Sequence, residues 1–258
     1  MDAIVSATGT ACAERVSLVK RILVPALLCI LSACVHPVSP ERASALKTVG
    51  VISLTGNNIT LQSMGQLALS NESTTEQVPE WGLNQFILDR FNAELSKRYD
   101  VRSVTVDKTA LQPGQLSLES LGAAVRASAS PQGLDAYIVV LGGSSRFGTT
   151  NFSVLGVGLL SVPAPFFTGH NYYLHALYRV LVIDGSSGAM IGDGSAPPLP
   201  DAGMMPNIRG PYRVVDESWW APSLAEMSEK QRQQLRDGLK DVIQSSVPNT
   251  LRTLKLAD

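Results

Sequence analysis

The sequence predicts an α/β protein in which a mixed β-sheet is packed by about three helices, as a two-layer or three-layer sandwich. Two patterns carry this prediction. Short β-branched runs bounded by glycine or polar turn residues recur along the chain, and segments with apolar residues three or four positions apart lie between them. The order of elements is β-α-β-α-β-β-β-α, which a helix-covered sheet accommodates.

The first strand and helix come from the start of this pattern. Residues 48–54 form a β-branched run that ends at a Thr-Gly-Asn-Asn turn signal, so they predict the first strand. Residues 57–80 are polar and poorly periodic, which predicts a loop or irregular insertion. A helix is expected over 82–98, and residues 100–106 predict the second strand. The helix prediction rests on an apolar face that repeats every four residues: Leu83, Ile87, Phe91 and Leu95.

The middle of the chain predicts a second helix and a set of neighbouring strands. A helical face is expected over 117–129. Residues 135–141 are continuously apolar and short, which is typical of a central strand buried on both faces. Residues 172–183 predict a long antiparallel strand with one fully apolar side. Residues 184–188 then predict a hairpin turn, and residues 189–191 begin the returning strand.

The C-terminal part predicts a long surface excursion and a final helix. Residues 196–222 are rich in proline and glycine. Pro248 falls within the helical pattern, and proline inside a helix removes a hydrogen bond, so we expect a kink or break near residues 246–247. The apolar face of this helix comprises Leu235, Leu239, Val242, Ile243, Val247, Leu251 and Leu254.

The N-terminal region has the order of a secretory signal. Lys20 and Arg21 precede the apolar run 22–31, and small residues lead into Cys34. The run is too short to span a bilayer, which takes about 20 residues. The sequence Leu31-Ser32-Ala33-Cys34 resembles the lipobox of a bacterial lipoprotein signal.

This resemblance implies how the chain is divided and where in the cell the protein is located. Residues 1–33 would be the signal peptide, Cys34 would carry three acyl chains, including palmitate, and 34–46 would be a flexible tether to a periplasmic domain at 47–258. Val35 stands where an aspartate would favour the inner membrane. We therefore expect a lipid-anchored protein on the periplasmic face of the outer membrane.

Composition excludes several classes of site in the mature chain. The three cysteines are Cys12, Cys29 and Cys34, so no thiol remains for a disulfide or a thiolate metal site. Loss of residues 1–33 lowers the basic count from 21 to 18 and the acidic count from 22 to 20, a net charge near −2. Such a chain lacks the basic footprint of a nucleic-acid-binding protein, and nothing in it indicates a cofactor.

The order of elements also resembles a known group of periplasmic domains. The quoted runs are Val-Gly-Val-Ile from residue 49, Asp-Ala-Tyr-Ile-Val-Val from residue 135, and a strand closing in Ile-Asp-Gly-Ser-Ser-Gly at residue 188. Together they resemble the curli-secretion (CsgG), penicillin-binding-protein activator (LpoB) and Pel polysaccharide export (PelC) lipoprotein domains. The resemblance implies a non-enzymatic domain that self-associates or binds protein partners.

Catalytic and metal-binding patterns are weak. His36, His170 and His175 are the only histidines, and a zinc site needs three or four convergent ligands, so ordinary surface or interface positions are expected. Ser144 and Ser145 follow a predicted central strand, where open α/β sheets bind ligands. They are candidate nucleophiles, but the sequence assigns them no acid–base partner.

Two apolar regions stand out as candidate contact surfaces. Residues 147–169 carry no charged side chain, and three interpretations stay open: packing on the domain itself, contact with a protein, and insertion into a membrane. Trp219 and Trp220 lie in the proline- and glycine-rich excursion 196–222. Adjacent residues of an extended chain point to opposite sides. The apolar candidates in 147–169 are Phe152, Val154, Leu155, Leu159, Leu160, Phe166 and Phe167.

The sequence thus predicts a lipid-anchored periplasmic binding or assembly accessory protein of the cell envelope, without enzymatic activity. Its partners would be the membrane, through Cys34, and a protein or a second copy of itself. Two alternatives remain: a periplasmic serine hydrolase that uses Ser144 or Ser145, and a ring-forming secretion or export subunit.

Overall fold

The computed structural model describes residues 35–65, 70–107, 110–111, 117–129, 132–164, 169–202 and 208–258. Within these ranges the α-helices are α1 (Pro40–Ala45), α2 (Leu83–Leu95), α3 (Leu118–Ala129) and α4 (Glu229–Thr253). The strands are β1 (Thr48–Leu54), β2 (Asn58–Ser63), β3 (Glu72–Gln77), β4 (Asp100–Arg102), β5 (Ala136–Gly142), β6 (Ser144–Arg146), β7 (Ser153–Leu155), β8 (Val157–Pro163), β9 (His170–Ala176), β10 (Tyr178–Asp184), β11 (Met190–Ser195) and β12 (Tyr212–Val215).

Sheet A has the strand order β11-β10-β5-β1-β4. Strand β1 runs parallel to both β4 and β5, and β10 is antiparallel to β5 and β11. The predicted central strand is therefore central, and its side chains are buried on both faces, as expected from a continuous apolar run. The hairpin turn predicted at 184–188 joins β10 to β11.

Sheet B has the strand order β12-β9-β8-β2-β3, and β6 and β7 form a separate hairpin. Strands β2 and β8 are parallel, and the other neighbours in sheet B are antiparallel. The mixed α/β class predicted from the sequence is confirmed, with two five-stranded mixed sheets in place of the one sheet that was expected.

A central core lies between one face of each sheet and the helices α2 and α4. The predicted apolar faces of both helices are buried in it, and so are alternate residues of β1, β5 and β10 from sheet A and of β2, β8 and β9 from sheet B. Because α4 contributes to a core shared by both sheets, it ties the two sheets into one packing unit.

Two smaller apolar clusters cover the outer faces of the sheets. Helix α3 packs on sheet A through Leu121, Val125 and Ala129, against the side chains of β5 that point away from the central core. On sheet B, the residues of an outer cluster come from the β6–β7 hairpin, from β8, β9 and β12, and from Ile208. The inner strands of each sheet are thus covered on both faces, whereas the edge strand β3 is exposed.

The segment predicted to be a flexible tether is instead packed on the domain. His36 N–H donates to the Asp193 carbonyl at 2.7 Å, and Asp193 N–H donates back at 2.8 Å. Val38, Ala43 and Leu46 are buried in the central core, and Arg42 forms an ion pair with Asp184. The prediction fails because too few apolar residues lie here to show a period, although these three are buried in the core.

The polar stretch 57–80 is not a loop, since it contains the β2–β3 hairpin. Thr60 and Gln62 of β2 are nonetheless buried, because both find partners. The Gln62 side chain donates to the Ser153 carbonyl at 3.0 Å and accepts from Leu155 N–H at 2.8 Å. Such long-range hydrogen bonds stabilise polar residues inside a sheet and leave no local signal in the sequence.

The long strand predicted over 172–183 is two strands in different sheets. Strand β9 belongs to sheet B and β10 to sheet A, and the chain changes sheets at Leu177, whose N–H donates to the Gly156 carbonyl at 2.8 Å. The apolar side predicted for this strand is confirmed, since its alternate residues all lie in the central core.

Helix α4 continues through Pro248, so the break that the sequence prediction allowed, as the alternative to a kink, does not occur. Burial of Val247 and Leu251 on either side of the proline holds the helix against the core. Two hydroxyls inside the helix, those of Ser246 and Thr250, also meet the hydroxyl of Tyr178 at 2.7 and 3.1 Å. Tertiary packing here outweighs the missing hydrogen bond.

Gly158 tests the packing of β8 against β2. A Cβ at this position would lie 1.8 Å from the Thr60 carbonyl oxygen, whereas a Cβ at Gly142, at the end of β5, would meet nothing within 4 Å. We predict that Gly158→Ala lowers the free energy of unfolding by about 3 kcal/mol, whereas Gly142→Ala leaves it nearly unchanged. Urea denaturation of both variants checks this, and equal midpoints would contradict the β2–β8 register.

Candidate contact surface

Trp219 and Trp220 lie at the end of a 3₁₀ turn, and both pack against the central core. The turn, Glu217–Trp219, begins at Asp216, whose carboxylate accepts from Ser218 N–H at 2.9 Å. The hydrogen bonds from Ser218 hold the pKa of Asp216 below its usual range. The turn thereby fixes where the two indoles leave the backbone.

The ring of Trp219 lies on α4 at a position that glycine keeps open. A Cβ on Gly238 would come within 2.8 Å of the Trp219 ring and of Leu174. The indole therefore covers the helix where it carries no side chain, and it packs on the central core while staying partly exposed. Trp219 is first of all a structural residue of the domain.

Trp220 belongs to a line of aromatic rings that we call the aromatic array: His170, Tyr172 and Trp220. The Tyr172 ring centroid lies 6.0 Å from that of Trp220 and 6.2 Å from that of His170, and the His170 ring is stacked at 25°. His170 Nδ1 is 2.8 Å from Ser161 Oγ, which orients the imidazole. Burial, with a smaller contribution from Glu217, raises the pKa of the Tyr172 hydroxyl.

The array combines rigid aromatic rings with access to solvent. Tyr172 is 8% exposed, Trp220 is partly exposed and His170 is exposed. Rings that are already packed lose little conformational entropy on binding, and Trp and Tyr are enriched among the residues that dominate protein interfaces. This is the kind of surface that a partner protein can use.

Most of the apolar candidates in 147–169 are occupied by the domain itself. Val154, Leu159 and Leu160 have no exposed surface, so they cannot form a contact surface in this fold. Phe152 is partly buried against the outer cluster, whereas Leu155 is 42% exposed. The segment is not an open loop, since it contains β7 and β8. Phe166 and Phe167 lie outside the described residues.

The two candidate nucleophiles have no catalytic surroundings among the described residues. Ser144 is exposed on β6. Ser145 is buried, its hydroxyl donates to the Arg146 carbonyl at 3.1 Å, and the same oxygen accepts from Arg209 N–H at 2.7 Å. A nucleophilic serine needs a base within hydrogen-bond reach, and here the hydroxyl is committed to backbone groups.

His175 corrects the expectation of a surface or interface histidine, because it is fully buried. Its Nδ1 lies 3.1 Å from the Gly156 carbonyl, and its Nε2 has no hydrogen-bond partner among the described residues. Burial lowers the pKa of His175 to about 4. The imidazole is therefore neutral at pH 7 and donates from Nδ1.

Neither metal ligands nor membrane-spanning helices emerge in the part of the chain that is described. No group of three or more His, Cys, Asp or Glu residues there could hold a metal ion. None of the described helices is both long enough and apolar enough to cross a bilayer.

The predicted lipidation residue, Cys34, lies outside the described residues. The residues that follow it are packed against β11 and the end of α4. Val35 lies beside Gly194 of β11, since its side chain is 3.3 Å from where a Cβ on Gly194 would be; Leu254 is 3.2 Å from the same point. Val38 N–H donates to the Leu254 carbonyl at 3.2 Å. We call this region, where Val35 and Val38 meet β11 and the end of α4, the anchor end.

Comparison with known proteins gives similarity only to solved structures. No family model matches the chain, and no curated protein matches it. The PelC dodecamer from Paraburkholderia phytofirmans is 12% identical, with 83% of this chain and 90% of that chain covered and a TM-score of 0.31. A Xanthomonas campestris protein from a family of unknown function is 9% identical, with coverages of 85% and 91% and a TM-score of 0.34.

PelC is one of the three groups that the sequence resembles, and a single-residue variant of the same dodecamer also matches, with a TM-score of 0.30. At such low TM-scores and identities these likenesses carry no argument about what this chain does or how it assembles. What supports a function is the chain's own residues.

The buried neutral imidazole predicts an acid-dependent loss of stability. The unfolded chain takes up a proton on His175 below about pH 6.5, whereas the folded chain does so only near pH 4. Stability from this group is thus complete above pH 6.5 and falls as the pH drops to 4, by about 3 kcal/mol in total.

His175→Gln should remove this contribution. The free energy of unfolding of the wild type, relative to that of the variant, should therefore fall from pH 7 to pH 4. The measurement is urea denaturation across that range. His170→Gln, which removes an exposed imidazole from the same strand, is the matched control. An unchanged difference across the pH range would contradict a neutral buried His175.

Proposed function

We propose that this protein is a lipid-anchored accessory protein of the bacterial envelope that acts by binding another protein rather than by catalysis. The observation that carries the proposal is the aromatic array, a rigid and accessible row of rings on a domain whose candidate nucleophile Ser145 is bound to backbone groups. The lipobox before Cys34 supports the anchor and an outer-membrane, periplasmic location.

The position of the array favours a protein partner over the lipid bilayer. Trp219, next to the array, lies on α4 at Gly238, whereas the anchor end meets α4 at Leu254. Sixteen residues of helix separate these positions, which is about 24 Å along its axis. A lipid on Cys34 would therefore hold the bilayer near one end of α4, and the array lies toward the other end.

The partner is either a different protein or a second copy of this chain. The array has no large net charge, so its binding would depend on apolar and aromatic contact with hot-spot character. Leu155 and Val214, which are 42% and 65% exposed, are further apolar side chains on β7 and β12, but they lie outside the array.

Site-specific photocrosslinking tests the proposed contact in the full chain, produced in bacterial cells. A photoreactive residue in place of Trp220 should give a crosslinked adduct, because the ring of Trp220 is partly exposed at one end of the array. The matched control is the same residue in place of Met190, which is 44% exposed at the start of β11.

The adduct mass separates self-association, at twice the chain mass, from binding of another protein. Crosslinking at neither position, or equally at both, would contradict a contact at the array. The anchor is tested in the same cells, since Cys34→Ser should move the protein from the membrane fraction to the soluble fraction. Unchanged fractionation would contradict lipid anchoring.

A further inference from the structure

The packed N-terminal segment leaves almost no linker between the acylated residue and the domain. His36 is hydrogen-bonded to Asp193 in both directions, so only Val35 lies between Cys34 and a fixed backbone position. One residue spans at most about 3.6 Å. If Cys34 carries acyl chains, the anchor end must therefore lie close to the headgroups of the bilayer that holds them.

A set of basic side chains borders this same end. Arg98 donates from Nη1 to the Lys255 carbonyl at 3.3 Å, and Lys255 directly follows Leu254. Tyr99, next to Arg98, has its hydroxyl 3.4 Å from the Ala43 carbonyl of α1. The basic residues are thus placed by the same elements that hold the N-terminal segment.

The exposed side chains at this end carry a local excess of positive charge. Lys97, Arg98 and Arg252 line a shallow cavity of about 240 Å³ with Glu94 and Asp258. Glu94 pairs with Lys97 at 2.7 Å. Three basic side chains, Lys97, Arg98 and Arg252, therefore line the cavity with two acidic ones, and Lys255 directly follows the end of α4, although the mature chain as a whole is slightly negative.

We infer that this basic surface binds the anionic phospholipid headgroups of the bilayer that holds Cys34, so that the domain is oriented with its anchor end down and its aromatic array away from the membrane. The inference rests on the proposed lipid anchor and adds a second contact to it. Basic groups within a Debye length of an anionic surface, about 10 Å, are attracted to it.

Orientation can be measured on the acylated protein in vesicles of phosphatidylethanolamine and phosphatidylglycerol. The mature chain has no cysteine besides Cys34, so a single introduced cysteine takes a fluorophore uniquely. Ser96→Cys places the label beside Lys97, and Ala225→Cys places it in the 3₁₀ turn Leu224–Glu226, just before α4 begins and at the opposite end of that helix from Leu254. Headgroup-attached nitroxides should quench the label at position 96 strongly and the label at position 225 weakly.

Charge variants test whether the basic surface is responsible. Lys97→Gln combined with Lys255→Gln should reduce the contrast between the two labels to the part that the short linker at Val35 imposes, as should vesicles of phosphatidylcholine alone. The control is Lys230→Gln combined with Lys240→Gln, which removes two lysines from the other half of α4 and should leave the contrast unchanged. In the Cys34→Ser protein the first pair should lower binding to the anionic vesicles about 30-fold.

Mass measurement of the purified protein precedes these experiments and separates the two proposals. Absence of acyl chains on Cys34 would overturn the lipid anchor. Acylated protein with equal quenching at positions 96 and 225, or with the reverse order, would overturn the orientation alone. A contrast that is undiminished in phosphatidylcholine and in the Lys97/Lys255 variant would overturn the role of the charges.

Discussion

The docking of residues 35–46 on the domain is the constraint on which the account depends. Two backbone hydrogen bonds join His36 to Asp193 at the edge of sheet A, and Val38 reaches the end of α4. The ion pair from Arg42 goes to Asp184, whose carboxylate also accepts from the Ser186 and Ser187 N–H groups in the β10–β11 turn. Because the segment is held at each of these points, it cannot serve as a long flexible linker.

Helix α4 connects the docked segment to the rest of the domain. Its buried face contributes to the core that both sheets share, so its two ends have fixed surroundings. One end receives Val38 at Leu254, and Trp219 covers the helix at Gly238. A membrane contact at the first position and a protein contact beyond the second would then be separated by the rigid body of the domain, and the protein could present one surface to each.

The sequence predicts well the elements whose period is complete within one segment. The faces of α2 and α4, the central strand β5 and the turn after β10 are all found as expected. Elements that depend on residues distant in the sequence are not predicted. Gln62 of β2 is buried because its side chain bonds to the backbone of β7. The chain changes sheets at Leu177, within a segment whose apolar pattern is continuous. Trp220 is visible in the sequence as a candidate, but its ring contact with Tyr172, which in turn stacks on His170, requires the register of β9.

The most direct test of the docked segment is amide hydrogen exchange of the mature protein. The N–H groups of His36 and Val38 donate to Asp193 and Leu254 at 2.7 and 3.2 Å, so both should exchange far more slowly than amides of an unstructured chain. Protection comparable to that of β11 would support docking of the segment on the domain. Exchange at the rate of a free peptide would contradict the docking. It would also contradict the short linker after Cys34 and the proposed orientation of the domain on the membrane.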